Sequence, residues 1–218
     1  MGRLKIAVLI SGRGTNMQAL MDYCSTTDSA AEIKLVISNV PDAIGLKRAS
    51  DAGIPTEVIN HKRYSDRETF ESVVTKTLKF HKIELVCLAG FMRLLTNSFV
   101  DCWRDKLINI HPSLLPAFKG INTHERALEA GVRFSGCTVH FVRGEMDSGP
   151  IVNQAVVPIL ADDNPDILAQ RVLAAEHLCY TQALSLIARG KTEIVDEKVL
   201  IKGSESQDTI ICNPKEKF

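Results

Sequence analysis

The residue types and spacing best suited to chemistry lie at positions 109–112, where Asn, Ile, His and Pro follow an apolar run. If this run continues as a strand, its side chains alternate, so that Asn109 and His111 project to one side while Ile110 faces the core. Pro112 has no N–H to donate and therefore ends the ladder. An amide can donate to a developing oxyanion, and an imidazole can donate or transfer a proton near neutral pH. The spacing is typical of a catalytic pair, although a turn-forming Asn and a structural His would explain the same residues.

A second candidate site follows the first apolar run, where Ser11-Gly12-Arg13-Gly14-Thr15-Asn16 leads directly into a helical pattern. Glycines let the backbone approach a ligand, and the free N–H groups of a helix N-terminus favour an anion such as a phosphate monoester. A tight turn with a Thr or Asn cap would give the same residues. A dinucleotide site is disfavoured, because Met17 stands where the third glycine of G-x-G-x-x-G belongs and Ser38-Asn39 replace the expected acidic residue.

Two stretches resemble a known family. The block Asn109-Ile110-His111-Pro112-Ser113-Leu114-Leu115-Pro116, followed by Phe118-Lys119-Gly120, resembles the active-site signature of the folate-dependent formyltransferases. The start, Ile6-Ala7-Val8-Leu9-Ile10-Ser11-Gly12-Arg13-Gly14-Thr15-Asn16, is similar to the start of that family, and the resemblance runs from about residue 5 to about residue 201. It implies a transferase of purine synthesis that moves the formyl group of 10-formyltetrahydrofolate to the amine of glycinamide ribonucleotide.

The resemblance also implies the catalytic residues Asn109, His111 and Asp147. Asn109 and His111 would donate hydrogen bonds to the formyl oxygen as it becomes an oxyanion. Asp147, which on its own reads as a turn residue before Ser-Gly-Pro, would stabilise the imidazolium of His111, orient it and help to move the proton lost by the amine. The amine attacks the formyl carbon directly, so that no Ser or Cys nucleophile is expected.

The binding residues implied by the resemblance form two groups. The ribonucleotide group is Gly14, Thr15, Asn16 and Glu176, although Thr15 and Arg13 depart from the family pattern of Ser and a small or amide residue. The folate group is Arg67, Met92, Arg93, Leu94, Leu95, Asn109, Arg143, Gly144, Glu145, Met146 and Asp147. Alternatives stay open: Arg67 could pair with Glu71 one helical turn later, at least one of the Met and Leu residues is expected in the core, and a helical Glu usually faces solvent.

Short β-rich runs alternate with helical patterns along the chain. Strands are predicted at 5–10, 33–38, 56–59, 85–88, 107–110, 136–142, 151–157, 193–196 and 199–201. Helices are predicted at 16–24, 44–52, 66–81 and 97–103, followed by a long helix that Asn164 caps and that ends near Gly190. Ser65 with Glu68 suggests a capping box for the third helix, and Gly53 a stop for the second. We expect an α/β fold with a doubly wound, mostly parallel twisted sheet and antiparallel additions in the C-terminal half.

We expect residues 1–202 to form one domain, with a phosphate-binding half at about 1–100 and a folate-binding, catalytic half at about 101–202, before a disordered tail at 203–218. The 218 residues hold 26 basic and 26 acidic side chains, a balance that argues against a dedicated nucleic-acid-binding protein. The six scattered cysteines and the absence of ligand spacing disfavour disulfides and a metal, and they favour the cytoplasm. No signal peptide or apolar stretch of membrane-spanning length is present, so we expect no membrane partner.

Two related activities share the Asn-x-His and Asp arrangement. Methionyl-tRNA formyltransferase normally adds a C-terminal RNA-contacting domain, and formyltetrahydrofolate hydrolase an N-terminal regulatory domain; we expect neither in this chain. A non-catalytic module that binds a phosphorylated ligand is a different class, which the fold alone does not exclude. In animals the implied activity resembles one domain of a longer multifunctional chain, so that this chain is either a free enzyme or such a domain.

Overall fold

The computed structural model describes residues 2–203 and 210–214. Its strands are β1 (Leu4–Ile10), β2 (Ala31–Ser38), β3 (Thr56–Val58), β4 (Leu85–Leu88), β5 (Leu107–His111), β6 (Phe134–Phe141), β7 (Ile151–Pro158), β8 (Thr192–Val195) and β9 (Lys198–Ile201). Its α-helices are α1 (Thr15–Ser25), α2 (Ile44–Asp51), α3 (Arg67–Phe80), α4 (Asn97–Cys102), α5 (Thr123–Glu129) and α6 (Pro165–Ala188), with a short 3-10 helix at His61–Arg63.

The main sheet runs in the order β3-β2-β1-β4-β5-β6-β7, and β8 and β9 pair as a separate hairpin. Strands β1 to β5 are parallel, whereas β6 is antiparallel to both β5 and β7. The strand order reverses between β1 and β4, and a reversal of this kind leaves a crevice at the carboxyl ends of the two strands. The predicted mostly parallel sheet with antiparallel additions in the C-terminal half is confirmed.

Each face of the sheet has its own cluster of buried apolar side chains. Ile6 and Val8 of β1 belong to the cluster that includes Tyr180 of α6, and Leu9 belongs to the cluster that includes Phe70 of α3. Strands buried on both faces must be apolar at every position, which is why their sequences read as continuous apolar runs. Burying a side chain of this size contributes about 1.5–3 kcal/mol, so both helical layers hold the sheet in place.

The start of α3 differs from the prediction. Asp66 is the N-cap, and its side chain accepts a hydrogen bond of 2.7 Å from the N–H of Thr69. The hydroxyl of Ser65 instead donates to the other oxygen of Asp66 at 2.6 Å. The predicted capping box of Ser65 with Glu68 is therefore wrong by one residue, because the carboxylate at position 66 is itself a strong cap.

Two other predicted helix ends are confirmed. Asn164 caps α6 by accepting from the N–H of Ile167 at 2.9 Å, and Gly53 follows α2 in the left-handed conformation, with φ of 71°. Two further helices were not predicted, namely α5 and the 3-10 helix, which span seven and three residues.

Among the described residues, every helix is too short or too polar to span a lipid bilayer. The predicted disordered tail at 203–218 falls largely outside the described residues. Within the described part of that tail, the side-chain amide of Asn213 donates to the carbonyl oxygens of Arg133 at 2.7 Å and Ile159 at 2.8 Å. This short segment therefore lies against the end of the sheet where β6 begins and β7 ends.

Candidate active site

A cavity of about 590 Å³ opens beside the carboxyl ends of β4 and β5, next to the point where the strand order reverses. Ligands of α/β folds bind at this edge of the sheet. Of the residues predicted from the sequence, those that line the cavity are Asn16, Met92, Arg93, Leu94, Leu95, Asn109, Arg143, Gly144, Glu145, Met146, Asp147 and Glu176. The predicted residues outside its lining are Gly14, Thr15, Arg67 and His111.

Strand β5 carries the pair Asn109 and His111 to this edge. The strand ends at His111, immediately before Pro112, and Ile110 belongs to a core cluster and also borders the cavity. Antiparallel pairing with β6 places His140 opposite Asn109. Asn109 therefore lines the cavity, while His111 lies buried behind it with 5% of its surface exposed.

Both ring nitrogens of His111 face oxygen atoms. Nε2 lies 3.0 Å from the carbonyl oxygen of Phe118, and Nδ1 lies 3.4 Å from Oδ1 of Asp147. A carbonyl oxygen can only accept, so Nε2 carries a hydrogen and donates to Phe118. The carboxylate of Asp147 attracts Nδ1 when the ring is an imidazolium. At a separation of 3.4 Å, a hydrogen bond between the two is weak. When Nδ1 is protonated, its N–H therefore has no closer acceptor than this carboxylate among the described residues.

The carboxylate of Asp147 is held from its other side. Oδ2 of Asp147 accepts a hydrogen bond of 2.7 Å from the backbone N–H of Gly120. Asp147 adopts φ of 48° and Phe118 adopts φ of 52°, a left-handed conformation that is uncommon for residues other than glycine. The structure thus brings Asn109, His111 and Asp147 together, and backbone groups of the segment after β5 bind the side chains of His111 and Asp147.

The sequence did not reveal what holds that segment. The hydroxyl of Thr138 on β6, opposite His111, donates to the carbonyl of Ser113 at 2.7 Å and accepts from the N–H of Leu115 at 3.0 Å. The side chain of Gln154 on β7 donates to the carbonyl of Leu115 at 3.0 Å. The alternation of side chains along β6 and β7 predicts which of their residues share one face of the sheet. It does not predict that the segment after β5 lies against that face.

His140 is a further cavity residue that sequence reasoning missed. Its Nδ1 lies 3.0 Å from the carbonyl of Phe141 and 3.1 Å from that of Ser148, so Nδ1 carries the hydrogen. Burial lowers the pKa of His140, which favours the neutral ring. Its Nε2 is buried without a hydrogen-bond partner among the described residues. In the sequence, His140 is a polar residue in a largely apolar strand, and this contrast could have indicated it as a candidate site residue.

A second polar pair lies at the end of the cavity formed by α1 and α6. The side-chain N–H of Asn16 donates to Oε2 of Glu176 at 2.6 Å. Burial raises the pKa of Glu176, and the hydrogen bond from Asn16 opposes that effect in part. Oδ1 of Asn16 is buried without a partner among the described residues, so an acceptor atom remains for a ligand to satisfy.

The predicted phosphate loop turns into α1 through Gly14. This residue is the N-cap, with φ of 69°, and has no side chain that could occupy the N–H groups of the first turn. A Cβ atom at Gly14 would lie 3.0 Å from Cα of Gly45 and 3.1 Å from the Met17 side chain, so that the turn accommodates only glycine without strain. The alternative of a Thr or Asn side-chain cap is not what the structure shows.

The segment after β4 forms the apolar rim of the cavity. Met92 is 78% and Leu94 is 63% exposed, whereas Leu95 packs against the core, as expected for at least one of them. The N–H of Met92 donates to the hydroxyl of Ser11 at 2.8 Å, and that hydroxyl donates to the side chain of Asn39 at 2.6 Å. Ser11 therefore connects the phosphate loop directly to the rim.

Arg67 lies apart from the cavity, exposed in the first turn of α3. Its proposed partner Glu71 is 4% exposed and accepts from the N–H of Thr96 at 3.0 Å and from the hydroxyl of Thr96. The carboxylate of Glu71 thus fixes the residue that caps α4, and the alternative of an Arg67–Glu71 pair is not present in the structure.

The described residues contain no group of three or more His, Cys, Asp or Glu side chains that could hold a metal ion. Cysteines in the described residues are free thiols. Independence from a metal stays a prediction.

Comparison with known proteins identifies close relatives. The family model described as Formyl transferase matches residues 4–184. The chain is 50% identical over 192 residues to the trifunctional purine biosynthetic protein adenosine-3 of Gallus gallus, covering 88% of this chain and 19% of that protein. It is 40% identical over 200 residues to phosphoribosylglycinamide formyltransferase of Escherichia coli (strain K12), covering 92% of this chain and 94% of that protein.

A solved structure agrees with these matches. The crystal structure of phosphoribosylglycinamide formyltransferase from Anaplasma phagocytophilum aligns with a TM-score of 0.87 and 46% identity, covering 93% of this chain and 95% of that one. The chain thus spans about a fifth of the length of the chicken relative (19%) and nearly all of the two bacterial ones.

Proposed function

The chain belongs to the formyl transferase family, in the branch of the phosphoribosylglycinamide formyltransferases, and from that premise we propose its reaction. It transfers the formyl group of 10-formyltetrahydrofolate to the amino group of glycinamide ribonucleotide in purine synthesis. The observation that carries this proposal is the meeting of Asn109, His111 and Asp147 at one edge of the cavity. Its cytoplasmic location stays a prediction.

The larger, apolar part of the cavity suits the formyl donor. Met92, Leu94, Ile121 and Met146 are exposed apolar side chains at the rim, with 78%, 63%, 79% and 53% of their surfaces accessible. A flat pterin and its aromatic tail would cover these side chains, and exposed apolar groups of this kind commonly mark a ligand site. Backbone groups of the segment after β4 and of the loop at 143–147 would supply polar contacts to the ring.

The polar end suits the acceptor. The N–H groups at the start of α1, behind Gly14, favour the phosphate of the ribonucleotide, and Thr15 adds a hydroxyl donor. Asn16 and Glu176 line the same cavity as Asn109, and Oδ1 of Asn16 has no hydrogen-bond partner among the described residues. Oxygen atoms from both side chains would accept hydrogen bonds from the amine or sugar of the acceptor substrate.

The chemistry is an attack of the acceptor's amine on the formyl carbon. A carbon–nitrogen bond forms, the formyl oxygen becomes an oxyanion, and the bond from that carbon to N10 of the folate then breaks. The amine loses one proton and N10 gains one, so the transfer needs no external acid. The amide of Asn109 and Nδ1–H of His111 would donate to the oxyanion, an arrangement worth about 10²- to 10³-fold in rate for each such donor.

The contacts of His111 explain how one ring serves two tasks. Its Nε2–H is occupied by the carbonyl of Phe118, which fixes the ring, while Nδ1–H would be shared between Asp147 and the formyl oxygen of the bound donor. The carboxylate of Asp147 stabilises the imidazolium and, directly or through water, relays the proton from the amine toward N10.

The test mixes the protein with both substrates and follows the loss of formyl-folate. We expect turnover, and we expect His111→Ala and Asn109→Ala each to reduce it by about 100-fold or more. His81→Ala is the matched control, because His81 lies at the end of α3, outside the cavity lining, and should leave turnover unchanged. Absence of turnover, or turnover unaffected by His111→Ala, would refute the mechanism. Loss of formyl-folate without added ribonucleotide would indicate a hydrolase instead.

A further inference from the structure

The tip of the terminal hairpin presents a carboxylate to the wall of the cavity. Between β8 and β9, Asp196 and Glu197 adopt φ of 49° and 56°, so both residues of the two-residue turn are left-handed. Turns of this type favour Asn-Gly or Asp-Gly, and a glutamate at the second position costs conformational energy. Strain of this kind persists where a contact compensates for it. The hairpin lies beyond residues 4–184, which the family model matches.

Glu197 joins two arginines that come from different parts of the chain. Its Oε1 accepts from Arg104 at 2.6 Å, and its Oε2 accepts from Nε of Arg143 at 2.6 Å. A terminal nitrogen of Arg143 donates to Oδ1 of Asp105 at 2.8 Å. The guanidinium of Arg143 is thereby held between the segment before β5 and the tip of the hairpin.

Arg143 is the first residue of the loop that forms one cavity wall. The connection between β6 and β7 runs from Val142 to Pro150, and residues 143–147 within it all line the cavity. Gly144 packs so closely on α4 that a Cβ atom there would lie 2.4 Å from Oδ1 of Asn97. Arg143 and Gly144 are adjacent, so a displacement of Arg143 also disturbs the close contact of Gly144 with α4.

The ion pairs matter here because one partner is buried. A surface ion pair usually contributes less than about 1 kcal/mol, and Glu197 is itself 53% exposed. The side chain of Arg143, however, is only 11% exposed, so water cannot fully replace the charge of Glu197 when that residue is neutralised. Asp105 is then the remaining charged partner of Arg143 among the described residues, and the guanidinium at the start of the loop is held less firmly.

We infer that Glu197 is a positioning residue, which holds the loop at 143–147 in the shape that accepts the formyl donor. This inference rests on the proposed function, because it assigns that loop to the donor. It adds to the site a residue from a hairpin that does not line the cavity, acting through the guanidinium of Arg143.

Glu197→Gln tests the inference, with Glu193→Gln as the matched control. Glu193 lies on the same hairpin and pairs at 2.8 Å with Lys202, away from the loop. We expect Glu197→Gln to raise the KM for the formyl donor by about 3- to 10-fold, with kcat and the KM for the ribonucleotide within about twofold of the wild type. Glu193→Gln should leave all three constants unchanged, and Glu197→Asp should restore part of the loss.

Hydrogen exchange gives a second readout that does not depend on turnover. The amides of residues 144–148 should exchange faster in Glu197→Gln than in the wild type and in Glu193→Gln, while the core strands stay protected. The inference is overturned if the two variants behave alike in exchange and in KM. It is also overturned if Glu197→Gln impairs kcat and both KM values to the same extent, because that result indicates general damage. If the wild type shows no transfer, the proposed function fails, and the exchange comparison alone decides the role of Glu197.

Discussion

The side-chain nitrogen of Asn16 lies 2.6 Å from Oε2 of Glu176 and joins α1 to α6 at the polar end of the cavity. Burial raises the pKa of Glu176, since the hydrogen bond from Asn16 offsets only part of the cost of removing the carboxylate from water. An ionised Glu176 therefore destabilises the free protein. A buried carboxylate of this kind is typical of a site that keeps a charge for its ligand.

Glu176→Gln should separate binding from stability. The folded-state pKa is raised above the ordinary value of 4.5, so the stabilising contribution of protonated Glu176 is full below 4.5 and is lost as pH rises through the folded-state pKa. Gln removes this dependence and can keep the bond from Asn16. We expect Glu176→Gln to gain stability relative to the wild type as pH rises from about 4 to about 8, measured by urea denaturation. The KM for the ribonucleotide should rise by about 10- to 100-fold. A stability difference that is independent of pH would contradict the prediction.

Asp147→Asn should reduce the rate while binding largely persists. The amide keeps the size of the side chain but removes the charge that faces Nδ1 of His111, so that the imidazolium is no longer stabilised. We expect kcat to fall by about 100-fold or more, with both KM values changed by less than about threefold. Steady-state kinetics with each substrate varied in turn measures this split.

Asp51→Asn is the control for Asp147→Asn. Asp51 pairs at 2.7 Å with Lys47 on the exposed face of α2, outside the cavity lining, and its loss should leave kcat unchanged. A kcat for Asp147→Asn close to that of the wild type would remove the carboxylate from the mechanism.

Part of this site could be predicted from residues close together in the sequence. The alternation of β5 and the proline after it account for the end of the strand at His111 and for its pairing in one site with Asn109, because both effects act within a few residues. The carbonyl of Phe118 and the N–H of Gly120 could not be predicted. They are backbone groups, present at every position, and only the left-handed turn at Phe118 brings them to His111 and Asp147.

Contacts between distant segments were also beyond prediction. Arg67 and Glu71 have the spacing of a helical ion pair, yet the carboxylate of Glu71 binds Thr96 instead. Arg143 was expected among the folate-binding residues; it lines the cavity, and its guanidinium also binds Glu197 from the last hairpin, a contact that the sequence did not predict. Spacing along the sequence shows which partners a side chain can reach on its own helix. Tertiary packing adds partners from distant segments and determines which contact forms.

Ser11→Ala should weaken the binding of both substrates. The hydroxyl of Ser11 accepts from the N–H of Met92 at 2.8 Å and donates to Asn39 at 2.6 Å, so that it ties the phosphate loop to the rim of the cavity. We expect both KM values to rise by about 3- to 10-fold with little change in kcat, as steady-state kinetics would show. Ser25→Ala is the control, because the Ser25 hydroxyl donates only to a carbonyl at the exposed end of α1. If neither KM rises, the hydroxyl of Ser11 does not connect the phosphate loop to the rim of the cavity in a way that affects binding.

Tyr180→Phe should lower stability through one buried hydroxyl. Tyr180 is fully buried on α6, and its hydroxyl donates to the carbonyl of Leu88 at 3.0 Å and lies 3.4 Å from that of Ile108. Phe keeps the ring but leaves these carbonyls without the donor, so the free energy of unfolding should fall by about 1–2 kcal/mol in urea denaturation.

Tyr23→Phe provides the opposite case. The hydroxyl of Tyr23 is buried without a partner among the described residues, and its removal should be neutral or stabilising. Equal losses in the two variants would show that the hydrogen bond from Tyr180 does not support β4 and β5.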